Sequence, residues 1–173
     1  MRNEKIVIAF IQDELNVKIM LKILKLVRDE EILANTNKTL RIILRDDHEI
    51  HKLLKKNKDD KKKELNQPGV FLGFDERMLG QIINGILEEL NVHNFSELVL
   101  VEATAAVLNF VKHHDLIRFI LPENLTFLVN IVMEHYDKPR VLAIQCLQHI
   151  SQRDEYKKYI TQLGADDILE IKI

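Results

Sequence analysis

The sequence is poor in the residues that interrupt regular structure or form covalent cross-links. Its 173 residues include 5 glycines, 3 prolines, one cysteine and no tryptophan. Few glycines and prolines mean few turns and bulges, which favours long helices. The lone Cys146 excludes an internal disulfide and is compatible with a reducing compartment. Aromatic residues are only 6% of the chain, so Leu, Ile, Val and Ala must build the core.

The chain also lacks a long apolar run and a strong excess of charge. The apolar stretch 6–11 is too short to cross a bilayer, and no small-residue cleavage site follows it. A net charge of -2 gives no general reason to expect nucleic acid or an anionic membrane as a partner. We therefore expect an intracellular, cytoplasmic protein, with a nuclear or cytoskeletal location left open.

Apolar residues recur along the chain with a period near 40. Segment 100–120 matches segment 140–160 at an offset of 40. The matched pairs are Ala103 with Ala143, Val107 with Leu147, Phe110 with Ile150, and Ile120 with Ile160. Helical repeats of this length are typical of armadillo and HEAT solenoids.

The N-terminal part follows the same pattern less closely. Ile19, Ile23 and Leu26 precede the apolar stripe of segment 99–110 by 84 residues, or two periods. Together with Val27 they are predicted to face inward on a helix over 17–28. Between these units, segment 55–69 is nearly all charged and then turn-like, which predicts a solvated loop. A basic nucleic-acid or localisation patch is the alternative, although acidic residues interrupt its lysines.

Capping residues and periodicity predict the helices of the C-terminal two thirds. A broad apolar face predicts a helix over 75–90, and Ser96 is placed to cap the next one. Pro122 and Pro139 each stand where a helix begins, and Gly164 stands where one ends.

These segments carry a resemblance to a known repeat. Segments 103–110 (ATAAVLNF) and 143–150 (AIQCLQHI) resemble the third helix of an armadillo repeat. Segment 125–132 (LTFLVNIV) resembles its second helix, and segment 160–171 resembles a first helix, turn and second helix. The chain is thus similar to the armadillo superfamily, which grades into HEAT, most clearly from Leu79 onward.

The resemblance implies an all-α, right-handed α-solenoid of armadillo-like repeats. It implies a single domain over 1–173, with a charged loop between repeats at about 55–74. In that family the third helices line a groove whose asparagines bind the backbone of an extended peptide. Asn109 stands at that position, with His149 and Lys25 in other units. The family's tryptophans are absent, which makes an extended basic peptide a poor candidate ligand.

Polar residues of the predicted third helices are the candidate partner-binding residues. Their spacing of three and four places each set on one helical face, although the solvated side of an amphipathic helix would show the same spacing. The candidates are Lys18, Lys22, Lys25, Glu102, Asn109, Lys112, His113, Arg140, Gln145, His149 and Gln152.

Catalytic and metal-ligand patterns are missing from the sequence. His113 and His114 are adjacent and diverge by about 100° on a helix, so they cannot chelate one ion together. Cys146 occupies the small, buried repeat position that Ala106 holds one unit earlier, where a thiol acts as a small hydrophobe. We therefore predict no enzyme, no cofactor and no metal.

The leading hypothesis is a non-enzymatic protein–protein interaction module or scaffold that presents its third helices to a protein partner. The alternative is a structural subunit held in a large, possibly cytoskeletal assembly through its uncapped ends. Ile168, Leu169, Ile171 and Ile173 are expected to be partly bare at one end. Further repeats or a neighbouring subunit would then cover them.

Overall fold

A computed structural model describes residues 14–44, 76–92 and 96–171. Within these ranges every regular element is helical, so the all-α prediction is confirmed. The α-helices are α1 (Glu14–Leu26), α2 (Glu30–Ile43), α3 (Glu76–Val92), α4 (Glu97–Val111), α5 (Leu125–Glu134), α6 (Lys138–Ile150), α7 (Asp154–Gln162) and α8 (Asp166–Leu169). Two short 3-10 helices, His114–Phe119 and Pro122–Asn124, connect α4 to α5. The predicted loop at about 55–74 lies outside the described residues.

Helices α2, α4 and α6 pack side by side, and these two contacts are the most extensive between helices. The first turns of α2 and α4 meet, since the Ser96 N–H donates to Glu30 Oε1 at 3.1 Å. Their last turns meet too, since Asn109 Nδ2 donates to the Arg41 carbonyl at 2.9 Å. Helix α6 runs in the same direction, since Cys146 Sγ lies 3.6 Å from the Thr104 carbonyl and the last turns of both helices line one cleft. The three helices are therefore parallel neighbours.

Helices α1, α3 and α5 cover one side of this row. Helix α3 contacts α1, α4 and α5, and α1 also contacts α2. The apolar face predicted for α3 is confirmed, because Met78, Leu79, Ile82, Ile83, Ile86 and Leu87 are all buried. The stripe predicted for α4 is also buried: Val99, Ala103, Ala106, Val107 and Phe110. One continuous apolar core thus joins the two sets of helices.

Local sequence signals explain where several helices begin and end. The Asp29 side chain accepts from the Ile32 N–H at 3.0 Å and so caps α2. Ser96 is the N-cap of α4, but its side chain makes no capping hydrogen bond. Gly164 has a φ of 71° just after α7, and the Ala165 N–H donates back to the Ile160 carbonyl at 3.2 Å. That pattern is a Schellman ending, for which glycine is favoured.

The predicted apolar face of α1 is only partly correct, because Ile23 and Val27 are partly buried but the other two predicted residues are exposed. Ile19 and Leu26 are 45% and 73% exposed, whereas Val17, Met20 and Leu24 are buried. The sequence also placed α1 as the third helix of the first repeat. This assignment is wrong, because α2 is the helix that packs beside α4. The apolar stripe of α2 is hard to recognise, since Thr36 and Asn37 occupy buried positions within it. Periodicity in apolar residues alone cannot detect a helix with a partly polar buried face.

The end of the described chain also differs from expectation. Ile168 is buried rather than bare. Leu169 and Ile171 pack against the core but stay partly exposed, as expected, and Ile173 lies outside the described residues. Helix α8 packs on α6, and Gln148 Nε2 donates to the Ile171 carbonyl at 2.7 Å. Helix α8 and Ile171 therefore cover part of the flank of α6. No helix in the described part of the chain is long and apolar enough to cross a membrane.

Candidate partner-binding site

A polar cleft of about 370 Å³ lies between α4 and α6. Four of the predicted partner-binding residues line it, namely Lys112, Gln145, His149 and Gln152, together with Leu108 and Gln148. Parallel packing produces this arrangement, because it brings the last turn of α4 beside the C-terminal half of α6. The side chain of Gln148 is already engaged with Ile171. The side chains of Gln145 and Gln152 make no hydrogen bond within the described ranges, so their amides can bind a ligand.

The electrostatics of this cleft come from one cation and one imidazole. Lys112 is exposed at its edge. Burial lowers the pKa of His149 below its usual 6.5, and the nearby positive charge of Lys112 lowers the pKa further. His149 is therefore neutral at pH 7 and offers one donor and one acceptor nitrogen. Together with the two glutamine amides, it makes the α4/α6 cleft a surface of mixed donors and acceptors.

Two other candidates on α4 are engaged inside the molecule. Glu102 accepts from Arg41 Nε at 2.7 Å, and Asn109 donates to the carbonyl of the same arginine. Both interactions hold α2 against α4. Asn109 thus donates a hydrogen bond to the last turn of α2, where helix carbonyls lack partners within the helix.

The remaining candidates lie away from the α4/α6 cleft. Lys18, Lys22 and Lys25 are exposed on α1, which belongs to the other set of helices. Arg140 is at the first turn of α6, at the opposite end of that helix, with its guanidinium 5.8 Å from the centre of the Tyr136 ring. His113 follows α4 directly and is partly buried. The structure therefore divides the eleven candidates among several locations.

A second cleft, of about 540 Å³, separates α1 from α3 and was not predicted. Its walls carry Leu21, Leu24, Lys25, Arg28, Gly80, Gln81, Asn84, Gly85, Glu88, Glu89 and Leu121. Glu89 is only 5% exposed. The sequence carried a signal for this site, because Glu89 lies three positions after Ile86 and seven after Ile82, on the apolar face of α3. An acidic residue is rarely buried on such a face without a partner.

Asn84 fixes one end of the α1/α3 cleft. Its Nδ2 donates to the carbonyls of Gly80 and Phe119, each at 2.8 Å. Its Oδ1 accepts from the Leu121 N–H and from Asn124 Nδ2, each at 2.9 Å. All four bonding positions of this amide are used. The residue therefore joins α3 to both 3-10 helices and to Leu121 between them.

Cys146 is buried beside Thr104, as its repeat position predicts. Burial raises the pKa of this thiol far above its ordinary value. A thiol in this state is a poor nucleophile, and its role here is packing.

Comparison with protein-family models, with curated proteins and with solved structures finds no match for this chain.

Proposed function

We propose that this protein is a non-enzymatic interaction module whose helices form an armadillo-like, right-handed α-solenoid. The parallel packing of α2, α4 and α6 supports the proposal, since stacked third helices are the core of such a repeat array. Helices α1, α3 and α5 then take the place of the second helices. The resemblance of segments 103–110 and 143–150 to one repeat position agrees with the contact of α4 with α6.

The proposed binding site is the α4/α6 cleft, and its occupant is an extended segment of a protein partner. The observation that carries this proposal is the presence of Gln145 and Gln152 beside His149, without internal hydrogen bonds in the described ranges. Each amide offers one carbonyl acceptor and two N–H donors. A peptide backbone presents the complementary groups in alternation, so such side chains bind it with little dependence on sequence.

The charge of the α4/α6 cleft adds a preference to this backbone recognition. Lys112 is the charged residue among those that line it, because His149 is neutral at pH 7. A positive charge at the edge of the cleft favours a peptide with an acidic residue near its centre. We therefore expect acidic rather than basic ligands.

Selection from a random peptide library displayed on phage tests this function. Peptides that bind the wild-type chain should be enriched in Asp and Glu. Their affinity should fall at least about tenfold in Lys112→Glu and in the double variant Gln145→Ala, Gln152→Ala, which corresponds to about 1.4 kcal/mol. Gln81→Ala and Gln162→Ala change exposed glutamines on α3 and α7 and are the matched controls.

Two outcomes would contradict the proposal. One is the absence of any peptide whose binding depends on the residues of the α4/α6 cleft. The other is self-association of the isolated chain in size-exclusion chromatography, with binding variants that behave like wild type. That second result would favour a structural subunit held in an assembly by other surfaces.

A further inference from the structure

A carboxyl group and an amide meet below the α1/α3 cleft. Glu89 on α3 is 5% exposed, and Asn37 on α2 is fully buried. Asn37 Nδ2 donates to the Leu33 carbonyl at 3.1 Å and to Glu89 Oε2 at 3.0 Å. Both hydrogens of this amide nitrogen are therefore used. The bond to Leu33 also fixes which way the amide faces, because a flipped amide would place two oxygens together.

Two oxygen atoms of this pair remain buried without a hydrogen-bond partner in the described part of the chain. They are Asn37 Oδ1 and Glu89 Oε1. If Glu89 is ionised, both atoms are acceptors and neither can satisfy the other. Leaving two such groups buried is costly. A proton on Oε1 converts it into a donor, and a carboxylic acid then forms a ring of two hydrogen bonds with a primary amide.

We propose that Glu89 is protonated in this fold and donates Oε1–H to Asn37 Oδ1, and that loss of this proton is a pH switch on the contact between α3 and α2. A single proton on Oε1 gives each of the two remaining oxygens a partner. Ionisation removes one of the two bonds and places two acceptors face to face. The contact between the helices is then weaker, directly under the α1/α3 cleft.

The surroundings of Glu89 place this switch near neutral pH. Burial raises the pKa of its carboxyl to about 7, against smaller lowering effects of the Asn37 hydrogen bond and the charge of Arg28. The charged groups that the structure brings to this carboxyl or to its cleft come from three elements. They are Arg28 between α1 and α2, Lys25 on α1, and Glu88 on α3 itself.

Arg28 is the group that responds to an ionised Glu89. In this structure its Nη1 donates to the carbonyls of Lys25 and Val27, at 3.3 and 3.0 Å, beside the C-terminal end of α1. A negative charge on Glu89 attracts this guanidinium away from those carbonyls. Ionisation therefore affects the end of α1 as well as the contact between α3 and α2.

Glu89→Gln is the decisive variant, since glutamine reproduces the protonated acid. Its Nε2 can donate to Asn37 Oδ1 while its Oε1 accepts from Asn37 Nδ2. Because folding raises the pKa of Glu89 above its usual value of 4.5, the stability that this proton contributes is fully present below pH 4.5 and is lost as pH rises through about 7. We expect similar urea midpoints for wild type and Glu89→Gln at pH 5, and a higher midpoint for the variant at pH 8.

Glu88→Gln is the matched control on the exposed neighbouring position, and its difference from wild type should not change between pH 5 and pH 8. A direct measurement is the carboxyl ¹³C chemical shift of Glu89 in the wild-type chain, which needs no variant to fold. A titration midpoint near 7 supports the proposal. A midpoint near 4.5, or a wild-type-to-Glu89→Gln difference that is constant with pH, overturns it.

Discussion

Arg41 of α2 contacts both Glu102 and Asn109 of α4, one through its side chain and the other through its backbone. Its Nε donates to Glu102 Oε2 at 2.7 Å, and its carbonyl accepts from Asn109 Nδ2 at 2.9 Å. The two α4 residues are seven positions apart and lie on one face of that helix. Their two hydrogen bonds lie at the edge of the apolar contact between α2 and α4. These bonds fix the axial position of one helix relative to the other.

Removing the carboxylate of this pair should weaken the contact between α2 and α4. Glu102 is mostly buried and Arg41 is partly exposed, so the ion pair is worth more than a fully solvated one. We expect Glu102→Ala to lower the free energy of unfolding by about 1 kcal/mol, measured by urea denaturation. Glu134→Ala, at an exposed position on α5, is the control and should lose almost nothing. Equal effects of the two variants would argue against a structural role for the pair.

Asn84 should be among the least replaceable polar residues. Asn84→Ala removes four hydrogen bonds at once and leaves groups of Phe119, Leu121 and Asn124 without this partner. We expect a loss of about 2–4 kcal/mol. Thermal unfolding should show a decrease of several degrees, while Gln81→Ala, one turn earlier on α3, stays near wild type. A decrease of less than one degree for Asn84→Ala would show that these bonds are replaced by water.

Tyr156 on α7 holds the segment between α4 and α5 through its hydroxyl. This group lies 2.9 Å from the carbonyl of Ile117 and 2.9 Å from that of Ile120. Tyr156→Phe keeps the ring in place and leaves the carbonyls without this donor. We expect a loss of about 1–2 kcal/mol by urea denaturation. Tyr159→Phe on the same helix makes the same chemical change at a partly exposed position, and a loss as large there would refute the assignment.

The titration of His149 tests the electrostatics of the α4/α6 cleft. Its pKa should lie below 6.5 in the folded chain, because of burial first and of Lys112 second. A histidine with a lowered pKa disfavours protonation in the fold, so its contribution to stability falls as pH decreases through and below 6.5. In Lys112→Met the pKa should rise without reaching 6.5, since burial remains. NMR titration of the imidazole measures this, with Lys157→Met on α7 as the control. An unchanged His149 pKa in Lys112→Met would show that the lysine lies too far from the imidazole to affect it.

Part of the candidate site could be predicted from sequence because repeats preserve register. The offset of 40 aligned Ala103 with Ala143, and α4 and α6 do pack as neighbours. Their polar residues at matching heights, such as Lys112 and Gln152, therefore meet in one cleft. The same reasoning failed for Lys18 because α1 was placed in the wrong set of helices. The apolar residues of α1 matched the repeat of about 40 residues, but Ile19 is exposed to solvent.

The sequence alone determined the helical character, the boundaries marked by Pro139 and Gly164, and the apolar stripes of α3 and α4. These features depend on residues within one or two turns of each other, and local periodicity records them. Only the tertiary structure decided that Asn109 bonds to Arg41 and that Asn37 meets Glu89, 52 positions away. The sequence does not indicate which group a polar side chain will bind. Whether it faces water, a ligand or another helix is decided when the helices pack.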